Sequence, residues 1–284
     1  MTIKVIQERF RSYHCVSADE EDNAIKEITQ ELILCLLSQA DFFKKVAFLG
    51  GTSLRILYGL LRFSEDLDFS LLKADPSFDL HAYLDPIADQ MSAYGYDISV
   101  SGRSRGGAVQ AAFLKDDSLG RILTVSFPKT SGPKKTIKIK LEVDTNPPAH
   151  ANIELKYQNF PIAYTVAAHD MGTLFAGKSH ALLSRKYLKG RDWFDFLWYI
   201  GKKTAPNYLF LASALAQSSP EAKHTEIDLG WYEHAMRQKI RDTDWEKAKA
   251  DVFRFLTNQN RKSLDLWNKD FFDQALDRLV ADIS

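Results

Sequence analysis

Two carboxylates stand close together at the start of a predicted strand, in the sequence DLDFSLL of residues 66–72. Side chains two positions apart in a strand point to the same face, so Asp66 and Asp68 are predicted to project together while Leu67 and Phe69 face the core. Two negative charges at this spacing repel each other unless a cation joins them. Mg²⁺ suits such a pair because it binds through one or two carboxylates together with substrate phosphates. Short acidic pairs also occur at solvated strand ends, so the pair alone does not identify a metal site.

A glycine turn lies upstream of this pair, where KVAFLGG is predicted to end a strand and TSLRILYGLL to form a helix. Gly50 and Gly51 allow the backbone to approach a ligand closely, and Thr52 or Ser53 could cap the helix. The N–H groups at such a helix N-terminus form an anion site. A phosphate site and a two-carboxylate metal site within about twenty residues are the minimum equipment for phosphoryl or nucleotidyl transfer.

A third acid is available on the strand predicted from KTIKIKLEVDT, residues 135–145. Glu142 and Asp144 share one face of that strand with Lys138 and Lys140, while the aliphatic residues between them share the other face. Glu142 or Asp144 could deprotonate an attacking hydroxyl or bind a second metal ion. The same alternation is that of an ordinary half-exposed sheet, so the sequence leaves open which acid is used and whether either is.

The elements that must position these residues form an α+β N-terminal part and an all-helical C-terminal part. Ser17 and Glu20 form a capping box that begins a helix at 17–40, and a second helix is predicted at 79–94. Alternating patterns predict strands at 96–101, 108–114, 121–127 and 136–144. After about residue 165 the predicted elements are the helices 167–184, 191–202, 206–217, 229–240, 244–257 and 270–282. The predicted domains are therefore residues 1–165 and 166–284.

The composition excludes several classes of protein. The 284 residues carry 37 lysines and arginines against 37 aspartates and glutamates, and this zero net charge argues against an obligate nucleic-acid coat protein. The two cysteines, Cys15 and Cys35, provide neither a disulfide framework nor a zinc site. The N-terminal residues lack the apolar run of a signal peptide, and no segment is apolar enough to span a membrane. We therefore expect a cytoplasmic protein with no membrane partner.

The glycine turn and the acidic pair, read together as GGTSLR and RFSEDLDFSL, resemble the AbiEii/AbiGii-type abortive-infection toxins. These toxins, which include the MenT proteins, are a branch of the DNA polymerase β-like nucleotidyltransferase superfamily. A third family pattern matches KSHALLSR at Lys178, Ala181 and Arg185, which share one face of a helix. A fourth pattern, an aspartate among hydrophobic residues, matches GRDWFDFLW, where Asp195 is the closer match and Asp192 a near neighbour. The matching residues of the first two patterns are Gly50, Gly51, Thr52, Leu54, Arg55, Arg62, Ser64, Asp66, Leu67 and Asp68.

The resemblance implies a polymerase β-type core, a mixed sheet flanked by helices, followed by an all-helical part. It implies Mg²⁺-dependent transfer of a nucleoside monophosphate from an NTP. Some members of the family modify the 3′ end of tRNA and so block aminoacylation. The family's toxins belong to two-gene systems whose usual antitoxin is a winged-helix transcriptional repressor. Transfer to a protein or a small molecule, or a non-catalytic module that binds NTP or RNA, remains an alternative.

The resemblance also implies roles for the matched residues. Asp66, Asp68, Glu142, Lys178 and Asp195 are the predicted catalytic residues, and Asp144 joins the two aspartates as a predicted metal ligand. Lys178 and Arg185 would neutralise triphosphate charge. Arg103, Arg105, Lys134, Lys135 and the basic residues of RKYLKGR could form a patch for an RNA backbone. The predicted nucleotide-binding residues are Gly50, Gly51, Thr52, Ser53, Arg55, Ser64, Lys178, Arg185 and Asp192.

Overall fold

The computed structural model describes residues 2–94, 96–102, 118–127, 135–219 and 226–284. The chain divides into two compact units. The first, called the sheet unit, comprises Met1–Tyr58, Phe63–Pro147 and Glu154–Ala168. The second, called the helical unit, comprises Gly59–Arg62, Pro148–Ile153 and His169–Ser284, so it takes in two short segments that precede residue 165.

A seven-stranded mixed sheet carries the candidate chemistry, and its strand order is β3-β4-β5-β2-β1-β7-β6. Strand β2 is antiparallel to β1 and parallel to β5, while β1 is parallel to β7. Both edges of β2 are therefore paired, which places the strand that follows Asp66 in the interior of the sheet. The strands are β1 Val46–Leu49, β2 Leu67–Leu71, β3 Asp97–Gly102, β4 Ser118–Phe127, β5 Lys135–Asp144, β6 Ile153–Gln158 and β7 Tyr164–His169.

Four helices belong to the sheet unit: α1 Thr2–Arg11, α2 Ala18–Gln39, α3 Gly50–Tyr58 and α4 His81–Ser92. Ser17 caps α2 as predicted, because its hydroxyl accepts the Glu20 N–H at 3.3 Å, while the Glu20 carboxylate accepts the N–H of Val16 at 2.9 Å instead of that of Ser17. Most of α2 is buried and packs in a core with Phe42, Phe48 and Phe69. This core supports the strands beside the glycine turn.

The helical unit is built around aromatic side chains. Phe272 stacks on Trp245 with ring centroids 4.1 Å apart and meets Trp193 edge to face at 5.2 Å. Gly190 lets the start of one helix approach another, because a Cβ there would lie 1.8 Å from the Ala248 carbonyl oxygen. The described helices are α5 Met171–Ser184, α6 Gly190–Gly201, α7 Tyr208–Ser218, α8 Leu229–Arg241, α9 Trp245–Phe253, α10 Asn258–Arg261 and α11 Lys269–Ile283.

The fold class predicted from the sequence is confirmed, with a mixed sheet, flanking helices and a helical C-terminal part. Two strands were missed. Strand β6 lies at the sheet edge and exposes Ile153, Leu155 and Tyr157, which reverses the usual pattern of a half-buried strand. Strand β7 overlaps the start of the helix predicted at 167–184, which in fact begins at Met171 behind its Asp170 cap. The strand predicted at 108–114 lies outside the described residues.

Within the described ranges, no helix is long and apolar enough to cross a membrane.

Candidate active site

The glycine turn joins β1 directly to α3. Gly50 has a φ of +82°, a left-handed conformation that L side chains rarely adopt. A Cβ on Gly50 would lie 2.3 Å from the Asp68 Oδ2 atom and 3.0 Å from the Asp68 Cβ atom. Glycine is required here for two reasons. The backbone is in the left-handed region, and the Asp68 carboxylate occupies the space that a side chain would fill.

Thr52 and Ser53 do not cap α3 as predicted, because the helix begins at Gly50 and both residues lie inside its first turn. The buried Thr52 hydroxyl instead donates to the Asp66 carbonyl and ties the turn to the segment that enters β2. The Ser53 hydroxyl is buried and has no hydrogen-bond partner among the described residues. A buried hydroxyl without a partner beside a helix N-terminus suits an oxygen-rich ligand such as a phosphate.

The two aspartates differ in their backbone setting. Asp68 lies in β2, aligned with Leu49 of β1 on one side and Glu142 of β5 on the other. Asp66 lies one residue before β2, so the period of the strand does not fix its direction. Both residues are partly exposed.

The sheet register distinguishes the two candidate third acids. Glu142 is the aligned neighbour of Asp68, whereas Asp144 is aligned with Ser70. The Glu142 carboxylate lies 2.6 Å from the Lys140 Nζ atom, and the Asp144 carboxylate accepts the Asn146 N–H at 3.0 Å. Glu142 is therefore the acid that the sheet places beside Asp68.

A metal ion would find few protein ligands here. Across the part of the chain that the structure describes, no three histidine, cysteine, aspartate or glutamate side chains are grouped closely enough to hold a metal ion. Asp68 lies beside a glycine turn and the unpartnered Ser53 hydroxyl, and the pairing of its carboxylate with that of Asp66 stays a prediction. This donor set fits Mg²⁺, which takes one or two carboxylates and completes its shell with phosphate oxygens and water.

Arg55 and Ser64, both predicted to bind nucleotide, make contacts within the sheet unit. The Arg55 guanidinium donates to the Glu27 carboxylate at 2.7 Å and lies 4.5 Å from the centre of the Phe63 ring. The Ser64 carbonyl accepts the Gln30 side-chain amide at 3.2 Å. These contacts fasten α3 and the segment before β2 to α2, and the nucleotide-binding role of both residues stays a prediction.

A cluster of ion pairs within the helical unit contains the third and fourth sequence patterns. Arg62 donates to both oxygens of Asp195 at 2.6 Å, and both side chains are buried. Lys178 of α5 lies 2.8 Å from Asp195 and 3.0 Å from Asp192 of α6. Arg185 also pairs with Asp192. The sequence matched Arg62 to a family pattern but did not predict its pairing with Asp195.

The charge state of this cluster follows from its pairing. Burial opposes ionisation of Asp192, but Lys178 and Arg185 outweigh it and hold the pKa of that carboxyl below its ordinary value. The Asp192 carboxylate is thus kept ionised by Lys178 and Arg185. The cluster fixes Lys178 and Arg185 in position, while their predicted contact with triphosphate stays a prediction.

Comparisons with known proteins agree with this fold. The model of a family described as "Nucleotidyl transferase AbiEii toxin, Type IV TA system" matches residues 32–278. The solved structure of JHP933 from Helicobacter pylori is similar at a TM-score of 0.53 and 17% identity, covering 93% of this chain and 94% of that chain. A "putative nucleotidyltransferase from H. pylori" has a TM-score of 0.47 and 16% identity, covering 89% of both chains. A search of curated proteins finds no match.

Proposed function

Because the chain belongs to the AbiEii family of nucleotidyltransferase toxins, we propose that it transfers a nucleoside monophosphate from an NTP to the 3′ end of a tRNA, with Mg²⁺ as cofactor. Membership makes the chain a nucleotidyltransferase of a toxin–antitoxin system and gives it a cognate antitoxin. The tRNA acceptor, the metal and a winged-helix repressor as antitoxin are part of the proposal. A tRNA acceptor and an NTP donor would place the reaction in the cytoplasm.

The observation that carries the proposal is the position of the Asp68 carboxylate over the Gly50 turn, 2.3 Å from where a Cβ would be. The carboxylate lies against the turn that opens α3, and the unpartnered Ser53 hydroxyl lies in the first turn of that helix. A carboxylate that can bind a cation thus lies next to a helix N-terminus that can bind phosphate oxygens. A nucleoside triphosphate with its metal needs both.

The proposed reaction is an in-line displacement at the α-phosphorus of the NTP. The acceptor hydroxyl forms a new P–O bond, the bond to the bridging oxygen breaks, and pyrophosphate leaves. Glu142 takes the proton of the attacking hydroxyl. Asp66 and Asp68 would hold Mg²⁺, which supplies positive charge for the phosphate oxygens when bound. We keep Lys178 and Arg185 as the predicted cations for the triphosphate.

The decisive experiment measures label transfer from each of four α-³²P NTPs to total tRNA, to a protein lysate and to small hydroxyl acceptors in parallel. We expect label on tRNA that needs Mg²⁺ and disappears with a chelator. Asp68→Asn should lower the rate at least about a thousandfold, because metal charge stabilisation is worth several kcal/mol. Asp79→Asn is the matched control, since that aspartate is exposed in the same unit and only accepts the His81 N–H at 2.9 Å.

Three results would contradict the proposal. If the Asp68→Asn variant transferred label at the full rate, the acidic pair would not be needed for the reaction. If label appeared on protein or on small acceptors and not on tRNA, the chain would still be a nucleotidyltransferase, but its acceptor would not be tRNA. No turnover of any NTP would favour a module that only binds nucleotide or RNA.

The same assay separates the two candidate third acids. Glu142→Gln is expected to lower the transfer rate about a hundredfold or more, because a positioned general base contributes at least that much and Glu142 is aligned with Asp68. Asp144→Asn, two aligned pairs further along the strands, should cost less than about tenfold. A larger loss in Asp144→Asn would assign the third acid to Asp144 instead.

A further inference from the structure

A cavity of about 340 Å³ lies within the helical unit, and its lining residues other than Arg185 and Asp192 have no role in the reaction described above. Its walls come from the connection between α5 and α6, the end of α8 and the start of α9. Basic and aromatic side chains dominate the lining, among them Lys186, Tyr187, Lys189, Trp193, Lys239 and Lys247. We call it the lysine cavity.

The carboxylates around the lysine cavity are already engaged. Asp192 pairs with Lys178 and Arg185 in the buried cluster. Asp244 accepts the Lys247 N–H at 3.1 Å as the N-cap of α9 and also pairs with the Lys247 side chain at 3.1 Å. Asp242 accepts the side-chain amide of Gln238 at 3.0 Å. The lining holds five basic side chains against these three carboxylates, so positive charge is in excess at the cavity.

Two lysines of the cavity lack a carboxylate partner. Lys186 and Lys189 make no ion pair within the described residues. Burial lowers the pKa of Lys189, and the neighbouring Arg185 and Arg191 lower it further. The ammonium group of Lys189 is thus held among like charges, and a bound anion would relieve that repulsion.

Tyr187 adds an aromatic surface at the cavity. Its side chain is 46% exposed, with Arg185 and Lys189 lying 6.0 Å and 5.6 Å from the ring centre. An exposed ring flanked by cations is the combination with which proteins bind single-stranded nucleic acid, since the ring stacks on a base and the cations contact phosphate. A carboxylate ligand would use the cations but not the ring.

We propose that the lysine cavity binds a phosphate of a single-stranded RNA acceptor, with an adjacent base stacked on Tyr187. The inference rests on the RNA acceptor of the proposed function and gives that acceptor a binding site. A nucleotide phosphate could also arrive as a free mononucleotide, so the test uses both sources.

The test compares two double charge reversals that change the net charge equally. Lys186→Glu/Lys189→Glu alters the cavity, and Lys202→Glu/Lys262→Glu alters two exposed lysines elsewhere in the helical unit. Binding of a labelled single-stranded oligoribonucleotide of about 12 nucleotides is measured at several salt concentrations. The cavity variant should bind at least about tenfold more weakly, with a salt slope reduced by about 1.4 for two lost phosphate contacts. The control should bind within about twofold of the unmodified chain.

Competition by unlabelled NTPs provides the second arm. If the cavity variant loses affinity for the oligoribonucleotide while NTP binding is unchanged, the RNA assignment stands. The assignment would be wrong if the cavity variant and the control variant bound RNA with equal affinity, or if the cavity variant lost affinity only for NTPs. Tyr187→Ala should also weaken RNA binding without a change in the salt slope. The binding assay contains no Mg²⁺ and needs no transfer, so a failed transfer experiment and a failed cavity are distinguishable.

Discussion

Replacing Gly50 by alanine is expected to lower nucleotidyl transfer about a hundredfold or more while the protein remains folded. The added Cβ would lie 2.3 Å from the Asp68 Oδ2 atom, so either the carboxylate or the turn must move. A displacement of about 1 Å at a reacting centre costs on the order of a hundredfold in rate. The measurement is the initial rate of label transfer, beside the midpoint of thermal unfolding.

Gly59 provides the matched control for this prediction. Its φ is +76°, close to that of Gly50, but a Cβ there would meet nothing within 4 Å. Gly59→Ala therefore carries the same backbone strain, about 1–2 kcal/mol, without a contact to the acidic pair. If both variants lost activity equally, strain rather than the position of Asp68 would explain the loss. If Gly50→Ala kept full activity, the position of the Asp68 carboxylate over the turn would not be important for transfer.

Removing one partner of the Arg62–Asp195 pair is expected to destabilise the protein by about 3–5 kcal/mol. Both side chains are buried and share two hydrogen bonds of 2.6 Å, so Arg62→Met would leave the Asp195 carboxylate with Lys178 alone. The free energy of unfolding, from urea titration, measures the loss. The double variant Arg62→Met/Asp195→Leu should recover most of it, since replacing both charges by apolar groups of similar size is often neutral.

The exposed ion pair between Lys203 and Asp282 is the control for the loss of unfolding free energy in Arg62→Met. Lys203 pairs with Asp282 at 3.0 Å, but its side chain is 62% exposed. Lys203→Met should therefore cost less than about 1 kcal/mol. A loss in Arg62→Met no greater than the loss in Lys203→Met would show that the buried cluster contributes little to the folded state.

The sequence predicted the elements whose signals are local. Helix α2 follows from its capping box and its apolar period, and β2 and β5 follow from alternation. The two-strand segment that ends the sheet unit was missed because its signals conflict. In β6 the apolar residues face outward, and the short apolar run of β7 continues directly into α5, so periodicity alone cannot assign it to a strand.

The candidate site was predicted in its residues but not in its contacts. That Glu142 lies beside Asp68 depends on which strands pair and in what register, a property of the whole sheet. The steric need for glycine at position 50 depends on the Asp68 side chain that occupies the turn. Arg62 is a further case, since a polar residue after a helix gives no sign that it will be buried against an aspartate 133 positions away.

The interior position of β2 also has a consequence for when activity can arise during folding. The turn and both aspartates are made early in the chain, but Glu142 joins Asp68 only when β5 pairs with β2, and β1 gains its other neighbour only with β7. Contacts between segments this distant carry a large loop-closure entropy and form slowly. A ribosome-bound chain that has emerged only as far as β4 therefore holds the glycine turn and the acidic pair without the strand that completes them. If Glu142 acts as proposed, a toxin arranged in this way is inert until β5 has been synthesised and has paired with β2, which is past the midpoint of its own translation.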